Sequence, residues 1–229
     1  MPTVCFASTL GASAPGCVTA STRASGDRDR PAEQAAEMLG VPGKVVTLKQ
    51  VHSDLVFPAD GAISGDEPRT EGDGLTSATA SETIGVRIAD CLPLLLVDPE
   101  RRAVAAVHAG WRGSAARIAA LAVEAMNRSY GSRPGDLEAV IGPCISAEQY
   151  EVGQEVASHF DAGAVLREGR AKPHVDLAAA NRLQLLASGL REENIHGGVH
   201  CSFSEAERFH SHRRDGACAG RMLAFIGLR

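Results

Sequence analysis

Three short segments each end an apolar run on a side chain that can ligate a metal or carry a proton: Lys49-Gln50-Val51-His52, Ala89-Asp90-Cys91 and Val107-His108-Ala109-Gly110. Strand ends are where a fold gathers such groups from distant parts of a chain. Two imidazoles and one thiolate make a three-ligand set that leaves the fourth position of a tetrahedral zinc open, which separates a catalytic from a closed structural site. Water at that position would ionise near neutral pH. His52, Cys91 and His108 lie far apart in sequence and match no local zinc-finger spacing. On the residues alone, the plainer reading of satisfied core or surface side chains is the stronger one.

Other residues invite the same weighing. Asp90 beside Cys91 is either an acceptor that orients a ligand histidine or a turn residue. Gln50 and Arg112 sit within a few residues of the ligand candidates and join the candidate substrate contacts. Cys144, in Gly142-Pro143-Cys144, is a site-lining thiol or a small buried residue. Arg213, Arg214 and Arg221 gather cations on an otherwise acidic chain, and such forks hold phosphate or carboxylate well. His210 and His212 would alternate on one face of an extended segment, where exposed hairpin histidines are the expected account and a second metal the alternative. His196 and His200 have helical ligand spacing, but Gly197-Gly198 argues against a helix and makes them structural. Six cysteines, at 5, 17, 91, 144, 201 and 218, contain no CxxC pair; the expectation is reduced thiols.

The elements that must position these groups read as mixed α/β. Val45 to His52, Thr83 to Ile88, Leu92 to Val97, Ala103 to His108 and Leu137 to Ile141 have strand character, with Ala89-Asp90-Cys91 as a corner and Gly61 to Thr70 as a turn-rich stretch. Pro31 to Leu39 suits a short helix. Ser114 is placed as the cap of a helix with Ile118, Leu121, Ala122, Ala125 and Met126 on one face, closing at Gly131. Ser146-Ala147-Glu148-Gln149 reads as a capping box opening a helix with Val152, Val156 and Phe160 on a stripe. Asp176 to Ser188 is a further helix. Ile195 to Cys201 and Met222 to Leu228 return to strand character around a polar, hairpin-like Glu205 to Arg221. Consecutive strands favour a mixed sheet with helices outside.

Composition narrows the function classes. The 229 residues are 44% hydrophobic and 22% charged, enough for a sizeable core as one domain spanning residues 1–229 without disulfides. Net charge -5 argues against a general nucleic-acid binder or an anionic-lipid binder. The most apolar stretch, Ile88 to Val97, is about half a membrane span. No Lys or Arg precedes residues 2–22 and polar residues interrupt them, so a signal peptide is not expected and the chain reads as cytoplasmic.

The segments KQVHSD (49–54), GDGLTS (72–77), RIADCLPLLLVDPE (87–100), AAVHAGWRGSAARI (105–118), IGPCISAEQYEVG (141–153) and FHSHRRDGACAGR (209–221) resemble, in order, those of the laccase-domain family. That family is also called the polyphenol oxidase, purine nucleoside phosphorylase or peptidoglycan editing factor family. The likeness covers about residues 44–229, and ADC followed by VHAGWRG is its most specific part. It implies that His52, Cys91 and His108 form the metal and catalytic centre, usually holding zinc. It also implies a layered α/β/β/α sandwich with similarity to toxin-type cysteine hydrolases. Two places depart from the family pattern: Ser8-Thr9-Leu10-Gly11 and Ser25-Gly26-Asp27-Arg28 replace the usual N-terminal elements, and His210 and His212 stand where aromatics are usual.

The resemblance implies an enzyme on a small-molecule substrate. The leading expectation is phosphorolysis of adenosine, inosine and methylthioadenosine, with adenosine deamination as a side activity. The alternatives are hydrolysis of a wrongly incorporated amino acid from a cell-wall precursor, or a metal-free hydrolase with Cys91 as nucleophile and His108 as base. A multicopper cluster needs several paired HxH sets, and the eight histidines supply one, His210 and His212. A single copper suits the His52, Cys91, His108 ligands chemically. The oligomeric state is left open by the sequence.

Overall fold

The chain was described by a computed structural model, which defines residues 3–7, 45–59, 70–80 and 82–228. The centre is a hairpin of two strands, β6 (Leu92–Asp98) and β7 (Ala103–Ala109), whose residues are all buried. An unbroken apolar run is what a strand covered on both faces requires. Leu92, Leu94 and Leu96 with Ala103, Ala105 and Val107 face one core, whereas Leu95, Val97, Val104 and Ala106 face another. This alternation follows from the two-residue period of the pleat. The Asp98 carboxylate closes the hairpin by accepting from the backbone N–H of Glu100 (3.0 Å) and Arg101 (2.9 Å).

Around this hairpin a six-stranded mixed sheet forms in the order β11 (Ile195–Gly197), β8 (Glu138–Ile141), β6, β7, β4 (Gly74–Ser77), β3 (Val56–Pro58). A four-stranded sheet runs β1 (Thr3–Ala7), β12 (Met222–Gly227), β5 (Thr83–Ile88), β2 (Val45–Val46). Ile84, Val86 and Ile88 of β5 and Met222, Ala224 and Ile226 of β12 pack against the hairpin to fill the space between the sheets. The other face of the six-stranded sheet is covered by helices, chiefly α2 (Ile118–Tyr130) and α4 (Leu177–Ala187). Among the described residues the layers are therefore helix, sheet, sheet, which agrees with the expected mixed α/β class; the outer helical layer of the expected α/β/β/α sandwich is not among them. The helix expected over Pro31 to Leu39, and most of the turn-rich stretch from Gly61, lie outside the described residues. A small pair, β9 (Val165–Leu166) and β10 (His174–Val175), stands apart from both sheets.

Five expected elements differ, one of them the strand expected from Ile195 to Cys201, which ends at Gly197 because Gly197 and Gly198 turn to φ 84° and 78°. The strand expected from Val45 to His52 is regular only at Val45–Val46, followed by a single parallel bridge from Lys49 to Glu71. Beyond it, the Gln50 side-chain amide replaces the ladder by donating to Arg87 O and accepting from Arg87 N, both at 2.7 Å. Ser114 does not cap the long helix: it lies in a short helix, α1 (Trp111–Ala115), and α2 starts only after Arg117, a left-handed residue at φ 65°. The break is held by α4, because Asn181 Nδ2 donates to Ser114 Oγ (2.8 Å) and Gln184 Nε2 to Ser114 O (2.7 Å).

The capping box at Ser146 opens a turn, not a helix. His174 Nδ1 donates to Ala147 O (2.7 Å) and Val152 N to Pro173 O (2.9 Å), drawing the segment against residues 173–175. Only Gln154–Ala157 (α3) is helical there. Glu205 to Arg221 is likewise turns and one helical turn, α5 (His212–Asp215), rather than a hairpin. The Arg214 guanidinium folds it inward by donating to Ser202 O (3.0 Å), Phe203 O (2.8 Å) and Phe209 O (2.9 Å).

Candidate metal centre

The site is built at one end of the central strands. His108 is the penultimate residue of β7, opposite Pro93 of β6, and Cys91 occupies the corner that enters β6. His52 comes from the segment after β2, with a left-handed backbone at φ 61°. A non-glycine residue at positive φ is costly and persists only where its surroundings hold it. Here the holder is Asp73, fully buried at the entrance to β4.

Asp73 accepts from Val51 N (3.2 Å), His52 N (3.1 Å), Ser53 N (2.6 Å) and Ser53 Oγ (2.7 Å), and its Oδ1 lies 2.7 Å from His108 Nδ1. One carboxylate thereby fixes the turn bearing the first histidine and the ring of the second. With Nδ1 of His108 committed to Asp73, Nε2 is the nitrogen presented to the site.

The three ligand atoms lie within 4.8 Å of one another, with Cys91 Sγ 3.9 Å from His52 Nε2. Ligands of a tetrahedral zinc sit roughly 3.5 Å apart, so a small contraction suffices. Gly110 keeps the space open. A Cβ on it would stand 3.0 Å from His52 Cδ2 and 3.1 Å from Cys91 Sγ. Donor set, oriented imidazole and cleared space together fit a metal with one open position.

The charges are arranged for the same purpose. Burial works to raise the Cys91 thiol, but hydrogen bonds and positive charge from His108 and His52 outweigh it and hold it down at about 6. Burial works against a charged His108, yet its hydrogen bonds to Asp73 and Cys91 lift it to about 9. Asp73, opposed by its burial, is lowered to about 2 by its bonds with His108 and Ser53. Without a metal, Cys91 and His108 form a thiolate–imidazolium pair backed by a carboxylate.

The remaining candidates divide clearly. Asp90, left-handed at φ 84°, does not orient a ligand histidine; its carboxylate accepts from Ser202 Oγ and Arg213 N, both at 2.6 Å. It ties the C-terminal segment to the corner that carries Cys91. The Gln50 amide is taken up by Arg87. Cys144 is buried and its thiol pushed up by that burial. Arg214 is spent on backbone carbonyls and on Asp215, while Arg221 is exposed and donates to Ala219 O and Gly220 O, both at 3.0 Å. Arg112 and Arg213 are exposed cations, stacked over Trp111 (4.4 Å) and Tyr150 (5.0 Å), and Arg213 Nη1 also donates to Glu151 O (3.0 Å).

His196 and His200 are exposed on β11 and beyond it, separated by Gly197 and Gly198 at φ 84° and 78°. His210 is buried and His212 exposed, so the two do not share a face. Asp73 was not singled out from the sequence. Its signal was an acid between two glycines, where a Cβ would stand 2.9 Å from Phe57 Cε2 at position 72 and 2.8 Å from Val56 Cγ2 at position 74.

Fold and site together define a layered α/β protein with an open His-Cys-His centre at the ends of its central strands. The chain matches the family described as multi-copper polyphenol oxidoreductase laccase over residues 24–229, and it belongs to that family. A Deinococcus radiodurans protein named purine nucleoside phosphorylase is 45% identical over 161 residues, covering 69% of this chain and 62% of that relative. A protein named adenosine deaminase RL5, from an unknown prokaryotic organism, is 39% identical over 205 residues, covering 83% of this chain and 78% of the relative. The solved structure of YlmD from Geobacillus stearothermophilus has TM-score 0.82 and 33% identity, covering 89% of this chain and 82% of that one.

Proposed function

We infer that the protein is a purine nucleoside phosphorylase acting on adenosine, inosine and methylthioadenosine, with adenosine deamination as a side activity. The observation that carries this reading is the open centre of His52, Cys91 and His108 with Asp73 behind it, in a chain whose relatives bear both names. Zinc or a single copper would be held by those three side chains and would supply Lewis acidity at the open coordination position. The protein's own part is positioning. Asp73 fixes the ring of His108 and the turn of His52, so the ligands need little reorganisation. Gly110 leaves room beside them for a substrate atom.

Arg112 and Arg213 supply the charge that phosphorolysis needs. Arg112 lies two residues after Gly110 in the first turn of α1, and the backbone of Arg213 is bound to Asp90 next to Cys91. Their stacking on Trp111 and Tyr150 limits the rotamer freedom that binding phosphate would otherwise cost. In deamination no phosphate is required, and water is the co-substrate.

The test is to incubate metal-quantified protein with adenosine, with and without inorganic phosphate, and separate adenine, inosine and hypoxanthine. Adenine release that depends on phosphate is the expected result. Inosine formed without phosphate would assign deamination as the main reaction, and no turnover of either kind by a zinc-loaded sample would overturn the nucleoside reading. A second reading rests on the Asp73, His108, Cys91 chain, which is also the arrangement of a cysteine hydrolase. Full activity in protein stripped of metal, abolished by Cys91→Ser, would favour it.

A further inference from the structure

A pair of thiols stands behind the metal centre. Cys144 and Cys201 are direct partners in a parallel bridge: Cys144 N donates to His200 O (3.3 Å), and Ser202 N to Cys144 O (2.9 Å). Paired residues on neighbouring strands lie about 4.8 Å apart at Cα, inside the range of roughly 4.4–6.8 Å that a disulfide spans. The Cys201 sulfur is turned toward the Cys144 segment, since it accepts from Ser146 N at 3.4 Å, and it also accepts from Ser204 N at 3.5 Å. Both thiols are free, Cys144 buried and Cys201 partly exposed.

The two differ as an attacking and a resolving thiol do. Burial works to raise the Cys201 thiol, but its bonds with Ser146 and Ser204 lower it below the ordinary thiol range. Burial pushes Cys144 the other way. Nucleophilic attack on a disulfide belongs to the thiolate, and access decides which sulfur starts. The bridge also touches the frame of the metal site. Ile145 N donates to Asp90 O (2.9 Å) and Ser202 Oγ to the Asp90 carboxylate (2.6 Å), so both strands of the pair hold the residue before Cys91.

We propose that Cys144 and Cys201 form a thiol–disulfide exchange site that takes a low-molecular-weight disulfide. The Cys201 thiolate attacks one sulfur of oxidised glutathione, forming a mixed disulfide and releasing one glutathione thiolate. Cys144 then loses its proton to solvent and attacks the Cys201 sulfur; the new bond expels the second glutathione thiolate. The two released thiolates take up the two protons given by the cysteines. Two protein thiols are thus oxidised by two electrons and one glutathione disulfide is reduced to two thiols.

The experiment is to treat the full chain with oxidised glutathione, quench with acid and map cysteine peptides by mass spectrometry. The wild type is expected to show a Cys144–Cys201 peptide that disappears on reduction, and Cys144→Ala to accumulate glutathione on Cys201. Cys201→Ser is expected to leave Cys144 unmodified. A Cys91→Ser background, run in parallel, removes the metal-site thiol from the exchange and is expected to give the same crosslink. Exposed Cys218 serves as the internal standard for an ordinary thiol. Glutathione on Cys218 with none on Cys201, or a Cys201 mixed disulfide in the wild type that never gives way to the crosslink, would overturn the proposal.

Discussion

Asp73 carries more of the site than any ligand does, because five donors converge on its two oxygens. Asp73→Asn replaces one acceptor oxygen with an NH2 group that faces donors, so His108 loses its orienting partner and the His52 turn loses an anchor. The expected result is a metal affinity lower by about 10–100-fold, read by chelator competition. Gly110→Ala should act differently. The backbone there, at φ -70° and ψ 174°, suits alanine, so the added methyl strains the space between His52 and Cys91 rather than the chain. Metal stoichiometry is expected to fall while circular dichroism and thermal midpoint stay near wild type. For metal-free protein, the thiolate form of Cys91 is populated above about 6. Its alkylation by iodoacetamide should therefore rise through pH 6 to a plateau by neutrality, where an ordinary thiol is still climbing. An inflection in the ordinary thiol range would contradict the pairing with His108.

At the scale of elements, the site depends on joints where regular pairing stops. The strand into His52 ends after two residues, and the Gln50 amide then does what a ladder would, with one donated and one accepted bond to Arg87. Gln50→Ala removes both of these partly buried bonds to the Arg87 backbone, a loss of about 1–3 kcal/mol. Urea denaturation would measure it, and a change below about 0.5 kcal/mol would mean that water replaces the amide. The interrupted helix at Arg117 is a joint of the same kind: α4 claims Ser114, and Gly113 and Ser114 are buried beneath it. Periodicity from Ile118 onward was legible, since Ile118, Ala122, Ala125 and Met126 are buried as expected, with Leu121 half-buried at the edge of the face. The start was not, because it is set by Asn181 and Gln184, more than sixty residues away in the chain.

At the scale of the molecule, the β6–β7 hairpin is covered by the four-stranded sheet on one face and by helices on the other, so His52, Cys91 and His108 gather at the end of the most deeply buried strands. The charges there link stability to pH. His108, raised to about 9, stabilises the fold fully below its ordinary value and loses that contribution as pH rises through 9. Cys91, lowered to about 6, does the opposite, gaining over the same interval. The two offset, and the neutral range should be flat. Asp73, lowered to about 2, contributes above pH 4 and loses its contribution as pH falls through 2, on the order of 2 kcal/mol. Metal-free protein should lose stability between pH 4 and 2 by about that amount more than Asp73→Asn does, in urea titrations at each pH. Parallel curves would show that the acid limb has another source. Among the described residues, no helix is long and apolar enough to cross a membrane.

What the sequence by itself determined was local or periodic: the unbroken apolar runs of β6 and β7, the amphipathic face of α2, the corner at Asp90-Cys91, the helix following Asp176, and the residue types at 52, 91 and 108. These are readable because neighbours in the chain enforce them. Only the tertiary structure decided that His52, Cys91 and His108 meet, that Asp73 rather than Asp90 backs a histidine, and that Cys144 pairs with Cys201. It also decided that Arg214 is consumed by backbone carbonyls while Arg112 and Arg213 keep exposed charge. Hydrogen bonds between segments tens of residues apart set each of these outcomes, and a single buried carboxylate or guanidinium chooses partners by proximity in the fold, not by spacing along the chain.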